Sequence, residues 1–309
     1  MAIDLLWATI GLVLLVLGGD ALVKGAVNLA LRLGIPALVV GLTVVAFGTS
    51  APELLVSVQA VLKDQDGIAL GNVVGSNIAN ALLVIGIPAM ISVIHASHLD
   101  VRRSYLVMLA GSGLFVALCF IGPITWVHGL VLLAGLSAML WDSYRQARAH
   151  PEAEEEPEGA DLGMPSWKIG AWMVAGLVAL PLGANLLVES AVSIATELGV
   201  SETVIGLTLV AIGTSLPELA TSIIAAFKRQ ADVALGNVIG SNVFNLLAII
   251  GISGLVAPLT VPTELLRFDL WAMLAASLLL APFVLGRHDI GRLAGLGLTA
   301  TYAGYLWAV

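Results

Sequence analysis

The sequence predicts an all-α integral membrane protein: ten transmembrane helices in two inverted five-helix repeats, with proline-broken helices at the core. Three observations predict it. The first is composition, for 59% of the 309 residues are hydrophobic and only 11% are charged, with a mean hydropathy of +1.02. A soluble domain is about 45–50% apolar and about 25% charged, so this chain lacks the polar residues to coat a globule in water. The second is an internal duplication: shifted by 165 residues, 41–86 falls on 206–251 with 27 of 46 positions identical. The third is the lopsided placement of the 13 lysines and arginines along the chain.

In the first repeat the apolar stretches lie near 3–31, 36–62, 67–93, 104–121 and 125–143. Runs such as 5–17 and 105–121 approach or span a hydrocarbon core of about 30 Å as helices. None shows the period-two alternation of a barrel strand. The first stretch begins at Met1 without a basic leader or a small-residue cleavage site, and so reads as a retained membrane helix. Across 144–167 five carboxylates, Glu152, Glu154, Glu155, Glu156 and Glu158, mark a solvated acidic loop. The second repeat follows with stretches near 168–196, 202–227, 232–257, 266–285 and 290–309. Five is odd, so the second copy enters the bilayer from the opposite side. The chain thus divides into a first repeat (1–143), the acidic loop (144–167) and an inverted second repeat (168–309).

Alternating the loops sorts the basic residues. Lys24, Arg32, Arg102, Arg103, Arg145, Arg148, Lys168, Lys228, Arg229, Arg287 and Arg292 gather opposite the N-terminus, and only Lys63 and Arg267 lie on its side. By the positive-inside rule both termini lie outside and the acidic loop faces the cytoplasm, in a cytoplasmic (inner) membrane. A missed span would erase that 11-to-2 division. Cys119 is the single cysteine, which rules out an intrachain disulfide.

Ionisable residues inside a bilayer are costly and mark function by default. Glu53 and Glu218 lie mid-span at equivalent positions, each closing a Gly-Thr-Ser-x-Pro-Glu string at 48–53 and 213–218. Pro52 and Pro217 are expected to kink their helices and free backbone oxygens. Such irregular backbone is tolerated at this depth only where it is buried in protein or lines a cavity. Thr49, Glu53 and Ser57 share one helical stripe, and Thr214, Glu218 and Ser222 repeat it. The next span of each copy adds a second stripe: Asn72, Ser76 and Asn80, then Asn237, Ser241 and Asn245. Every donor in the set is oxygen, with no histidine or cysteine among them, which disfavours zinc, copper and iron. Hard cations remain. Ca²⁺ and Na⁺ suit a flexible oxygen cage, whereas Mg²⁺ sheds its water reluctantly, and two carboxylates match one divalent charge.

Other features have plainer readings. Gly71 with Gly75 and Gly236 with Gly240 are small-residue pairs of helix packing. Asn72, Asn237, Asn77 and Asn242 divide evenly between site ligands and interhelical glue. Asp20 and Lys24, one turn apart, read as a local pair whose counterparts Asn185 and Glu189 do not keep the charges.

The doubled GTSxPE and GNxxGSNxxN strings resemble the alpha repeats of the cation/calcium antiporter superfamily, and within it the prokaryotic sodium/calcium exchangers. The resemblance covers nearly the whole chain. It implies exchange of Na⁺ for Ca²⁺ by alternating access, with Ca²⁺ and Na⁺ as substrates and no cofactor. It implies a central calcium site from Glu53, Glu218 and the carbonyls of Thr49 and Thr214. Flanking sodium sites would use Ala46, Thr49, Ser50 and Ser241 on one side and Ala211, Thr214, Ser215 and Ser76 on the other, with Asn80 and Asn245 in the middle. Many members carry Asp where this chain has Asn245. Proton-coupled members carry a Glu after the Gly-Asn pair, which is absent here. The first helix of each copy would slide across the core as a gate, with Gly18, Gly19, Gly25 and Gly183 allowing close contact.

A Ca²⁺/H⁺ or broader cation/proton antiporter of the same fold would share these features, whereas a cation channel rarely buries carboxylates in inverted, broken helices. An intramembrane hydrolase using Ser50 or Ser215 would need a base. His95, His98, His128, His150 and His288 all map to loops or span ends, so the chain does not read as an enzyme. Nothing in it calls for nucleic acid or a second copy, and it reads as a monomer in the lipid bilayer.

Overall fold

The computed structural model describes residues 2–96, 101–149, 161, 163–199 and 211–309. The acidic run at 152–158, His98, His150 and the opening of the span near 202–210 lie outside them. Among the described residues the chain is all helix apart from loops and two isolated bridges. In order come α1 (Ala2–Leu33), α2 (Ala37–Thr49 and, past a break, Ala51–Leu62), α3 (Asp66–Ile91), α4 (Arg102–Ile121) and α5 (Trp126–Ala149). Then follow α6 (Ser166–Glu197), α7 (Ala211–Gly213 and Leu216–Phe227), α8 (Ala231–Val256), α9 (Leu265–Val284) and α10 (Arg292–Ala308). Seven are long and apolar enough to cross a membrane, and the bent α2 makes an eighth among the described residues. Leu5, Leu12, Leu17, Trp126, Val174 and Trp307 are exposed, as suits a lipid-facing rim.

The inversion is visible in one helix pair. α1 packs along its counterpart α6 so closely that a Cβ at Gly11 would stand 2.7 Å from the Gly183 carbonyl oxygen, at Gly18 3.0 Å from Ala179, and at Gly25 2.7 Å from Met173. Positions rise along α1 as they fall along α6, so these equivalent helices run antiparallel. Gly19 instead faces Ala220 and Ile224 of α7.

The copies also interlock elsewhere. α3 crosses α10 where Gly86 meets Gly295, and α8 crosses α5 where Gly251 meets Gly129. The bridges repeat the pattern: Ile94 pairs with Ile290, and Ile124 with Leu259. α3 and α8, almost wholly buried, form the centre.

Two local features differ from expectation. In α2 the proline does not kink a continuous helix; the helix breaks at Ser50 and restarts at Ala51, with a bend of 44°. Pro52 then sits in a first turn, where its missing N–H has no partner to lose. The second copy breaks likewise at Ser215, ahead of Pro217. The other feature is π-helix at Asn80–Val84 in α3 and Phe244–Ile249 in α8, equivalent stretches that widen the turn beside Asn80 and Asn245.

Candidate functional site

The breaks in α2 and α7 set the site. A half-helix ending at mid-membrane leaves carbonyls without intrahelical partners and a partial negative charge at that end. Ala37–Thr49 ends this way, and Ser50 closes it through its N–H to the Ala46 carbonyl (3.0 Å). In the second copy the Ser215 N–H turns more tightly, to the Ile212 carbonyl (3.0 Å). Glu53 and Glu218 follow in the first turn of each restarted helix, both 1% exposed.

Each polar face is completed by the other copy. Ala51–Leu62 of α2 packs on the π-turn of α8, and Leu216–Phe227 of α7 on the π-turn of α3. The Ser50 hydroxyl donates to Oε1 of Glu218 at 3.1 Å, joining the two motifs directly. The Thr49 hydroxyl lies 3.1 Å from Oδ1 of Asn237, whose amide donates to the Glu218 carbonyl at 3.5 Å. In the first copy the Asn72 amide donates to the Glu53 carbonyl (3.3 Å) and to Ser57 (3.0 Å). The stripes read from the sequence therefore face one another.

What remains unsatisfied matters most. Buried polar atoms nearly always find a hydrogen-bond partner. Here eight atoms on seven residues of the expected set have none: Oε2 of Glu53 and of Glu218, the hydroxyls of Ser76, Ser215 and Ser241, both amide atoms of Asn80, and Oδ1 of Asn245. Seven are oxygens. Among the described residues no lysine or arginine pairs with either glutamate, which removes the reading of them as halves of structural ion pairs. A hard cation is the group that such oxygens could satisfy together.

The remaining expected residues are placed as follows. Thr49 and Ser50 are buried, Ala46 is buried and lends its carbonyl to the first break, and Thr214 is half-buried at the wall of a cavity. Ala211 is helical, and its side chain lies outside the description. Asn77 and Asn242 resolve as glue: each donates its amide to the other's carbonyl, at 3.2 and 3.4 Å, where the equivalent helices α3 and α8 meet. Asn245 also donates to Oδ1 of Asn77, at 3.0 Å. The π-turns and the bond from Ser50 to Glu218 were not read from the sequence. The one available signal was an Asn in register at positions 80 and 245.

Residues 3–141 and 168–309 match the family described as sodium/calcium exchanger protein. The chain belongs to the sodium/calcium exchanger family. Exchanger relatives include the sodium/calcium exchanger MaX1 of Methanosarcina acetivorans, 34% identical over 99% of this chain and 98% of that one. The inner membrane protein YrbG of Escherichia coli is 35% identical over 96% of this chain and 94% of its own length. Among solved structures, the sodium-calcium exchanger NCX_Mj soaked with 10 mM Na⁺ and zero Ca²⁺ superposes with a TM-score of 0.86 at 32% identity, covering 100% of each chain. NCX_Mj soaked with 2.5 mM Na⁺ and 0.1 mM Ca²⁺ gives 0.85 at 31%, over 99% and 98%. The exchanger is thus a multi-pass membrane antiporter of the cation/calcium class, not an enzyme.

Proposed function

We propose that the protein exchanges Na⁺ for Ca²⁺ across a cytoplasmic membrane by alternating access, binding both ions in turn on the oxygens of Glu53, Glu218, Thr49, Thr214, Ser50, Ser215, Ser76, Ser241, Asn80, Asn245 and the backbone of Ala46 and Ala211. The observation that supports this reading is the set of buried, unpartnered side-chain oxygens around two unpaired carboxylates. Two charges balance one Ca²⁺, whereas three Na⁺ would leave one positive charge in excess, so exchange is expected to be electrogenic. The test is ⁴⁵Ca²⁺ uptake into proteoliposomes under an imposed Na⁺, K⁺ or pH gradient. Uptake driven by outward Na⁺ and accelerated by an inside-positive potential is expected. Uptake driven only by the pH gradient would assign the site to protons instead.

The proposed repeats are 1–143 and 168–309, joined by a cytoplasmic loop at 144–167, with both termini outside. A reporter fused after Val309 should therefore read as external and one inserted at Glu155 as cytoplasmic. Finding both on one side would refute the inverted arrangement.

Asn245 sets a further expectation. Its amide donates to Asn77, a bond that an ionised Asp cannot make and a protonated Asp can. Asn245→Asp should keep Na⁺-driven Ca²⁺ uptake and add a further dependence on pH beyond that of the two glutamates. If only the Asp variant carries Na⁺-driven uptake, the native cargo is a different ion.

A further inference from the structure

The duplication invites comparison of the two ends of the bundle, position by position, and they are not alike. On α1, Asp20 bridges to Lys24 at 3.0 Å and also to Lys228, which follows the last turn of α7. Lys24 lies in turn over the ring of Trp172 on α6, 5.4 Å from its centroid. One carboxylate and two lysines thus tie α1, α6 and α7 together at the level of the C-terminal half of α1. The equivalents 165 residues away are Asn185 for Asp20, Glu189 for Lys24, Lys63 for Lys228 and Trp7 for Trp172. The ring and one lysine survive the inversion. The central carboxylate has become an amide, and the cation over the ring has become an anion. Among the described residues neither Glu189 nor Lys63 makes an ion pair.

The two restarted helices differ in the matching sense in how far equivalent positions are exposed. A cavity of about 170 Å³ reaches Thr214 between α6 and the broken helices, lined by Pro52, Val56, Ala184, Asn185 and Val188 among others. Because α6 residues 183–187 lie level with Gly11 of α1, this cavity is in the half of the bundle where the cluster has lost its charges. Val56 on its wall is 38% exposed, while its equivalent Thr221, in the clustered half, is 0% exposed. Ala225, one turn further along α7, is buried against α1 as well.

We infer that the Asp20–Lys228 bridge is a one-sided latch that holds α1 on α7 and keeps that end of the site shut, so that the resting protein opens by default at the end where Asn185 and Lys63 cannot form such a bridge. Asp20 and Lys228 are positioning residues that touch no ion. They decide which side of the membrane the empty site faces, and so the apparent affinity on each side. The latch serves transport only if the antiport reading holds, but its effect on helix position can be measured without any ion.

The test uses single cysteines at Val56, Thr221 or Ala225 in a Cys119→Ala background, with the full chain in lipid nanodiscs, where both faces meet a charged maleimide. With the latch intact, Val56→Cys should react quickly and Thr221→Cys and Ala225→Cys slowly. Asp20→Asn and Lys228→Gln should each speed labelling at 221 and 225 by about two- to fivefold, the population shift expected of one partly exposed ion pair, and slow it at 56. The swap Asp20→Lys with Lys228→Asp should restore protection. Lys24→Gln, which leaves the bridge between helices in place, should not relieve it. Unchanged labelling at both buried positions in both single variants would overturn the inference. Altered labelling in a protein that carries no Ca²⁺ would leave the latch standing and refute the antiport reading.

Discussion

Glu53→Gln and Glu218→Gln should each abolish Na⁺-driven Ca²⁺ uptake while leaving a folded protein. Both carboxylates are buried, and among the described residues neither has a basic partner and together they supply the only formal charge assembled at the breaks. In a site shielded from water, removing one of two charges that face a divalent ion costs several kcal/mol, and each ~1.4 kcal/mol is a tenfold loss of affinity. The amide keeps the shape, so a change in melting temperature should be small or favourable, since a buried charge disappears. Glu218→Gln has one further consequence. It weakens the bond from Ser50, which now reaches a carboxylate oxygen, so this variant should also loosen the contact between the two breaks. Ser57→Ala should be far milder, because a hydroxyl contributes about 1 kcal/mol net. Near-normal uptake by either Gln variant would remove that glutamate from the site.

The second large effect is steric. At Gly183 a Cβ would stand 2.7 Å from the Gly11 carbonyl oxygen and 2.9 Å from the Leu15 amide nitrogen, and both neighbours are helix backbone that cannot swing aside. Gly183→Val should therefore push α1 off α6 and cost about 3 kcal/mol, at the upper end of overpacking penalties. The measurement is thermal stability in detergent together with Ca²⁺ uptake. Gly170→Ala is the control, since a Cβ there meets nothing within 4 Å. If Gly183→Val matched that control, the close contact of α1 with α6 would be irrelevant to stability.

Fold class was legible because hydropathy and the 165-residue repeat are properties of the chain as a whole and need no tertiary detail. Glu53 and Glu218 stood out for a related reason: a carboxylate in an apolar span contradicts its surroundings, and duplication in register removes coincidence. The form of the break was less readable. Pro52 signalled an interruption, but whether a helix bends at the proline or ends two residues earlier depends on how the neighbouring helices pack, which no local motif encodes. The π-turns at Asn80 and Phe244 were invisible for the same reason, because one inserted residue in a buried helix leaves no mark on hydropathy. Asn77 and Asn242 were ambiguous because an amide serves equally as ligand or cross-link. Only their meeting across the contact between equivalent helices decides it.

The crossings of α3 with α10 and of α5 with α8, with the two isolated bridges beside them, have a consequence for biogenesis. Every helix pair named there takes one member from each half of the chain. A ribosome that has delivered the first five helices has delivered none of these pairs, and Asn77 must wait in the bilayer without Asn242. Assembly is therefore a late event, triggered when α8 and α10 arrive, and the half-made chain has to be tolerated by lipid or by an insertion factor until then. Co-expressing the two halves as separate polypeptides should rebuild the bundle, whereas either half alone should be cleared by membrane proteases.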